Sequence, residues 1–145
     1  MERRKFLTGA AVAGAATSLA APSVAQSKIE MAIVATWPRD FPGLGLPAQR
    51  MAARIQELTD GEIQVTYFAA GEKVGAFDSF DEVASGNSQA YIGADYYWKG
   101  KHPGWAPFTA IPFGLTAGEM DAWTKYAGGQ ELWDELAGEF GLKNF

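Results

Sequence analysis

The sequence predicts an α/β fold built on a mostly parallel sheet with flanking helices. Apolar and polar residues alternate over residues 28–36 and again over residues 62–68, which is the pattern of half-buried strands. Between them, residues 47–58 repeat apolar side chains at helical spacing. A strand, a helix and a second strand in this order are typical of the crossover unit that forms parallel sheets.

The first strand and the helix after it are each expected to bury one apolar face. The strand face consists of Ile29, Met31, Ile33 and Ala35. A loop rich in proline and glycine follows, and Pro47 suits the first turn of a helix because its missing N–H group is not needed there. Gly61 is expected to end this helix. The predicted helix face consists of Ala48, Met51, Ala52, Ile55 and Leu58.

Helices and strands continue to alternate in the second half of the chain. A short helix is expected at residues 77–84, a third strand at residues 90–94 and a short extended segment at residues 108–113. Residues 142–145 are expected to begin another extended segment. An alternation that stops as a strand begins predicts an incomplete chain whose partner strands are missing.

Two further helices are predicted before that point. Thr116 and Glu119 have the spacing of a capping box, which indicates a helix start. The expected buried face of this helix is Met120, Trp123 and Ala127. The last helix, residues 130–140, is expected to bury Leu132, Trp133, Leu136 and Phe140. Trp123 and Trp133 are therefore interpreted as structural residues.

Residues 1–25 have the composition of an export signal. The motif R-R-K-F-L at residues 3–7 matches the twin-arginine pattern R-R-x-F-L, and a small, apolar stretch follows it. That stretch is too short and too rich in glycine and alanine for a good membrane span. Small residues at positions 23–25 suit a signal peptidase, so we expect cleavage after Ala25 and a mature chain in the periplasm.

Charge and cysteine content exclude several classes of function. The net charge of the chain is −5, and residues 1–25 contribute +2, so the remainder carries −7. An acidic chain without a basic run is a poor partner for nucleic acid or an anionic membrane. The absence of cysteine excludes a lipid-anchored N-terminal cysteine, disulfides, thiolate metal sites and a cysteine nucleophile.

No catalytic residue and no metal site are predicted. His102 is the only histidine, and its position before a proline is typical of a loop residue rather than a metal ligand. Without a neighbouring histidine, no serine nucleophile can be assembled. Asp78, Asp81 and Glu82 are interpreted as the solvated face of a short helix. A carboxylate pair for acid–base chemistry stays open, although no pair is singled out by its spacing.

A formal dinucleotide motif occurs at residues 43–48, G-L-G-L-P-A, which match G-x-G-x-x-A. In such sites the glycines bring a pyrophosphate against a helix N-terminus directly after a strand. Here residues 37–43 separate the strand from the second motif position, Pro47 removes an N–H group, and no acid ends the second strand. We interpret the motif as a loop that enters a helix.

Aromatic residues at the ends of two predicted strands are the candidate ligand contacts. Trp37 follows the first strand, and Tyr96, Tyr97 and Trp98 follow the third. In open parallel sheets, ligands bind outside the carboxyl ends of the strands. Tyrosine and tryptophan rings can wall a pocket there while donating a hydrogen bond. The alternative is that these rings pack against neighbouring loops.

Six strings in the chain carry a family resemblance. They are A-T-W-P at 35–38, Y-F-A-A-G-E at 67–72, F-D-E-V at 80–83, Y-Y-W-K-G-K at 96–101, A-I-P-F-G-L at 110–115 and G-G-Q-E-L-W at 128–133. With them the whole chain, signal included, resembles the solute-binding subunits of tripartite ATP-independent periplasmic (TRAP) transporters. The similarity is greatest to the branch that binds 2-oxo acids and related monocarboxylates.

The resemblance implies the N-terminal lobe of a type II-like periplasmic binding protein, which closes on its ligand by a hinge. Such a protein is not an enzyme: it captures a small organic anion for a sodium-coupled membrane permease, and some members are homodimers. By position, Trp37 matches an aromatic residue at the cleft mouth and Tyr97 matches a tyrosine that contacts the bound acid. Tyr96 and Trp98 are its neighbours.

Family members are longer than this chain. The arginine that clamps the carboxylate, and the residues that hold a sodium or other metal ion beside the substrate, lie in the part that is absent here. Arg39, Arg50 and Arg54 are therefore not assigned to the clamp, and no cofactor is expected in residues 26–145. We expect this chain alone not to bind ligand tightly.

Two other interpretations stay open. Twin-arginine export often serves folded enzymes that carry a cofactor, so an exported oxidoreductase is the first alternative; a bound nucleotide or metal, or turnover, would identify it. A stand-alone periplasmic interaction domain is the second. It is disfavoured by the hydrophobic face that a missing half would leave exposed.

Overall fold

Three parallel strands form the sheet in the computed structural model, which describes residues 28–145. The strands are β1 (Ile29–Ala35), β2 (Ile63–Phe68) and β3 (Ala90–Ile92), in the order β2-β1-β3. The register pairs Ile29 with Ile63 and Ala35 with Ile92. The predicted mixed α/β fold with a parallel sheet is confirmed; the predicted signal lies outside the described residues.

Helix α1 (Gly45–Leu58) crosses from β1 to β2 and buries Gly45, Ala48 and Ala52. The predicted face was too wide, because Met51 and Leu58 are 46 % and 67 % exposed. A sheet of three strands offers a narrow surface, and the small side chains one turn apart are the ones that it covers. Sequence patterning therefore located the helix correctly but overestimated its buried stripe.

A short α2 (Ser79–Ala84), preceded by a 3₁₀ turn at Ala76–Asp78, leads to β3. The strand ends at Ile92, two residues earlier than predicted. Gly93 follows it, and a side chain would not fit there, because a Cβ atom would lie 2.6 Å from Trp98 Cη2 and 2.9 Å from Thr36 Cγ2. The chain turns away at this point into a 3₁₀ turn, Asp95–Trp98.

The main core is largely aromatic, and its residues come from helices and turns rather than from the strands. Five buried residues form it: Phe80, Trp98, Trp105, Leu136 and Ala137. The extended segment predicted at residues 108–113 is absent: Pro103–Phe108 is a 3₁₀ segment, and residues 109–115 form no helix or strand. Pro107 and Pro112 account for the difference, since neither can donate to a strand ladder.

The last two helices are α3 (Ala117–Tyr126) and α4 (Gly129–Gly138). The predicted capping box is present: Thr116 N donates to Glu119 Oε2 at 2.8 Å, and Glu119 N donates to Thr116 Oγ1 at 3.4 Å. The predicted inner faces are wrong at Ala127 and Leu132, which are exposed. Both helices pack through aromatic rings instead, and Phe108 lies nearly parallel to Trp123 and Trp133.

The remaining segments add no regular structure. Residues 142–145 form no strand, although Leu142 packs against the aromatic core. Within residues 28–145, no helix is long and apolar enough to cross a membrane.

Candidate ligand site at the strand ends

The carboxyl ends of all three strands meet around residues 36 and 37. Thr36 N donates to Ile92 O at 3.0 Å on the β3 side, and Ala70 N donates to Trp37 O at 3.0 Å on the β2 side. Trp37 is half-buried at this junction. The loop after β1 is thereby fixed on both flanks, and the turn after β3 leaves the same edge of the sheet. The predicted meeting of β1 and β3 at one sheet edge is observed.

Tyr96 and Tyr97 form an edge-to-face pair on the turn after β3. Their ring centroids are 4.6 Å apart at 69°, and Tyr97 makes a second such contact with Phe77 at 5.2 Å. Tyr96 is 39 % exposed and Tyr97 is half-buried. Hydrogen bonding with the Tyr97 side chain raises the pKa of Tyr96. Protonated phenols of this kind can donate to a bound carboxylate.

Trp98, the third residue of the run, is buried. Its indole Nε1 donates to Phe77 O at 2.9 Å, and its ring packs against Tyr91 and Phe80 with centroids 5.0 and 5.3 Å away. Only 4 % of the residue is exposed. Its one donor is engaged, so Trp98 could contribute to a ligand contact only through its ring.

Arg39, on the loop after β1, is fully engaged by β2 and its following loop. Its Nε donates to Glu72 Oε1 at 2.7 Å, and its Nη2 donates to Tyr67 O at 3.2 Å. Glu72 also accepts from Ala69 N at 2.9 Å. The hydrogen bonds from Arg39 lower the pKa of Glu72 to about 2. Arg39 therefore ties two loops together and is not free to clamp an anion.

Asp95 is a site residue that the sequence reasoning passed over. It is only 5 % exposed, and its Oδ2 accepts a hydrogen bond from Trp133 Nε1 at 2.6 Å. Burial raises the pKa of this carboxyl to about 6, against the opposing effect of the Trp133 hydrogen bond. Its place at the end of a strand, directly before the tyrosines, was the one available signal.

The G-x-G-x-x-A stretch does not present a phosphate site. Gly45 N and Leu46 N, at the start of α1, both donate to Phe41 O, at 2.9 and 3.1 Å. No side chain caps this helix at Leu44. Because these amides are satisfied within their own loop, the interpretation as a loop entering a helix agrees with the structure.

The described residues do not supply a cation site by themselves. Among residues 28–145, no group of three or more histidine, aspartate or glutamate side chains is gathered closely enough to hold a metal ion. The Nδ1 atom of His102, the one histidine, is engaged, since it accepts from Gly104 N at 3.1 Å. A sodium or calcium ion beside a ligand would need further ligands.

Two surface hollows lie away from the strand ends. They measure about 360 and 460 Å³, and Pro107 and Trp123 line both. Phe108 and Leu136 line the first, while Ile111 and Phe113 line the second. None of the four aromatic residues predicted from the sequence takes part in either hollow, so they are separate from the candidate site.

Comparison with known proteins identifies relatives along most of the chain. Residues 34–145 match the family model described as bacterial extracellular solute-binding protein, family 7. A monocarboxylate 2-oxoacid-binding periplasmic protein of Nostoc sp. strain PCC 7120 is 31 % identical over all of this chain and 42 % of its own length.

Two solved structures share the fold. A TRAP periplasmic solute-binding protein from Pseudoalteromonas atlantica T6c, with bound sodium and pyruvate, is 38 % identical with a TM-score of 0.76. Another from Colwellia psychrerythraea, with bound calcium and pyruvate, is 34 % identical with a TM-score of 0.76. Each match covers 79 % of this chain and 35 % of the solved chain, so this chain spans about a third to two fifths of its relatives.

Proposed function

The chain belongs to the bacterial extracellular solute-binding protein family 7, and on that premise we propose that it captures a small monocarboxylate, a 2-oxo acid such as pyruvate, for a sodium-coupled TRAP permease. The family is one of transport proteins and not of enzymes. Capture outside the cytoplasm is the activity that its fold and its aromatic strand ends support best.

The feature that supports this proposal is that Trp37 follows β1 and the Tyr96–Tyr97 pair follows β3, two neighbouring parallel strands whose carboxyl ends lie at the same edge of the sheet. Ligands of open α/β sheets bind there. The tyrosine hydroxyls supply donors without adding a permanent charge, and the rings exclude water around a small acid. Trp98 is assigned to the same site as a ring contact, since its indole N–H group is engaged by Phe77.

The carboxylate of the ligand needs a stronger partner than two phenols. Of the three described arginines, Arg39 is paired with Glu72 and Arg54 with Glu57 at 2.6 Å, while Arg50 lies exposed on α1. We assign the arginine clamp, and the ion ligands, to the parts of the relatives that this chain does not match. The relatives that hold pyruvate also hold sodium or calcium, and the same pairing is proposed here.

Titration calorimetry on the mature protein, isolated from the periplasm and sized by intact mass, tests this function. We expect saturable binding of pyruvate and 2-oxobutyrate and none of acetate, which lacks the 2-oxo group. The same titrations after chelation, and with choline replacing sodium, test the ion. A folded protein of its relatives' full length that binds no monocarboxylate under any of these conditions would reject the function, and a bound nucleotide or substrate turnover would favour the exported enzyme instead.

A further inference from the structure

Asp95 is a buried carboxylate at the entrance to the tyrosine turn. It is the first residue of the Asp95–Trp98 turn and is 5 % exposed. A carboxylate removed from water is destabilising unless hydrogen bonds compensate for the lost hydration. Within residues 28–145, a single side-chain donor compensates: the indole N–H of Trp133, 2.6 Å from Oδ2.

Trp133 connects this carboxylate to the buried aromatic core. It lies on α4, whose Leu136 and Ala137 belong to the buried aromatic core. Its ring lies nearly parallel to that of Phe108, with centroids 5.5 Å apart at 8°. The position of Asp95 is therefore set by a contact with α4, at a residue 38 positions further along the chain.

The side chains of the two tyrosines are held by ring contacts, and Tyr97 also packs edge-to-face on Trp98, with centroids 6.1 Å apart, at the margin of the buried core. Tyr96 is 39 % exposed, and the additional ring partner of Tyr97, Phe77, is 61 % exposed. A hydrogen bond from an indole N–H group lies on either side of the pair in the sequence. Trp133 donates to Asp95 before it, and Trp98 donates to Phe77 O after it at 2.9 Å. Two indole N–H groups thus bracket Tyr96 and Tyr97.

We propose that Asp95 is a positioning residue, which holds the Tyr96–Tyr97 pair in its ligand-binding orientation through its hydrogen bond to Trp133 of α4. This role rests on the proposed function. The burial supports it: a buried polar group with a satisfied hydrogen bond fixes one side-chain geometry, which an apolar residue at position 95 would not do. The raised pKa of Asp95, about 6, is the sign of that desolvation.

Four variants of the native protein test the proposal. Asp95→Ala and Trp133→Phe remove the hydrogen bond, whereas Asp95→Asn retains an acceptor oxygen. Trp123→Phe is the matched control, because Trp123 also lies nearly parallel to Phe108, at 5.7 Å and 17°, but does not donate to Asp95. Thermal unfolding of each variant identifies the temperature at which all of them are folded.

Two measurements are then compared. Pyruvate affinity is expected to fall about two- to tenfold in Asp95→Ala and Trp133→Phe, the change that one net hydrogen bond corresponds to. It is expected to stay within about twofold in Asp95→Asn and Trp123→Phe. Nitration of Tyr97, mapped by mass spectrometry without ligand, is expected to rise in the same two variants and not in the other two.

The outcomes distinguish the positioning role of Asp95 from the proposed function. Equal affinity and equal nitration in Trp133→Phe and Trp123→Phe would show that Trp133 is only a core residue and would overturn the positioning role, as would an Asp95→Asn variant that behaves like Asp95→Ala. Wild-type protein that binds no pyruvate would reject the proposed function. The nitration measurements would still decide whether Asp95 positions the tyrosines.

Discussion

Arg39 holds both oxygens of Glu72: Nε donates to Oε1 at 2.7 Å, and Nη2 donates to Oε2 at 2.5 Å. The pair closes the loops that follow β1 and β2 beside Trp37. It also removes the arginine nearest to the candidate site from any direct part in binding an anion. We expect the role of the pair to be structural: it holds the loop after β1, the rim of the candidate site, which carries Trp37.

Replacing Glu72 with glutamine should lower the melting temperature above about pH 4.5, where the unfolded-state carboxyl is ionised. Because folding lowers this pKa, the pair stabilises the protein at neutral pH, and its contribution is lost as the pH falls through about 2. Thermal unfolding from pH 2 to 7 measures this. Glu57→Gln is the control, since the Arg54–Glu57 pair is more exposed and should matter less; an equal effect of the two substitutions would contradict the rim role.

Asp95→Asn should change how stability depends on pH. Folding raises the pKa of Asp95 from 3.8 to about 6, so the folded state binds the extra proton between these values and the wild type gains stability as the pH falls through this window. Above pH 7 the variant should therefore equal or exceed the wild type, by up to about 3 kcal/mol. Chemical denaturation at pH 4, 6 and 8 measures the difference. A variant less stable than the wild type at pH 8 would mean that the charged hydrogen bond outweighs the burial.

Gly93→Ala should destabilise the protein by about 1–3 kcal/mol, the usual range for overpacking. The new Cβ atom would meet Trp98 at 2.6 Å and Thr36 at 2.9 Å, at the point where β1 and β3 end. Pyruvate affinity should fall as well, because Trp98 flanks the tyrosines. Gly100→Ala, where no atom lies within 4 Å of the new Cβ atom, should leave both quantities unchanged. Urea denaturation and calorimetry together check this pair.

Tyr97→Phe should weaken pyruvate binding about tenfold or more, since a hydrogen bond to a charged group is worth about 1.5–3 kcal/mol. The loss should appear in the binding enthalpy measured by calorimetry. Tyr126→Phe removes the same atom from a residue that is 85 % exposed on α3 and serves as the control. If both variants bind like the wild type, the hydroxyl of Tyr97 does not contact the acid.

Arg3→Lys together with Arg4→Lys should retain the precursor in the cytoplasm, because the twin-arginine route depends on the arginine pair. The wild type should yield a periplasmic species that begins at Gln26. Fractionation followed by N-terminal mass analysis measures both. Export of the double variant at the normal level would indicate the general secretory route.

The fold was predictable where local patterns decide it. Strict alternation located β1 and β2, and the Thr116–Glu119 capping box located the start of α3. These signals depend on neighbours within four residues, so a single sequence contains them. Resemblance to a family added the ligand class, which no periodicity in the chain contains.

The remainder depends on contacts between distant residues. Nothing local to Met51 or Ala127 indicates that the surface opposite is too narrow to cover them. The hydrogen bond between Asp95 and Trp133 joins residues 38 positions apart. Periodicity indicated that Trp133 faces inward, but it could not indicate which polar atom its indole N–H group would meet there. The candidate tyrosines could be found from the sequence; what holds them could not.

The central place of β1 has a consequence for synthesis on the ribosome. Ala32 N donates to the side chain of Gln89, 57 residues further on, and β3 pairs with β1 at the same level. At about 5–20 residues per second, β1 waits roughly 3–11 s for this second neighbour to be translated. During that time one edge of a largely apolar strand stays unpaired in the nascent chain. Holdase chaperones that bind β1 in this interval should therefore raise the yield of folded protein before export, which pulse-labelling with and without such a chaperone would measure.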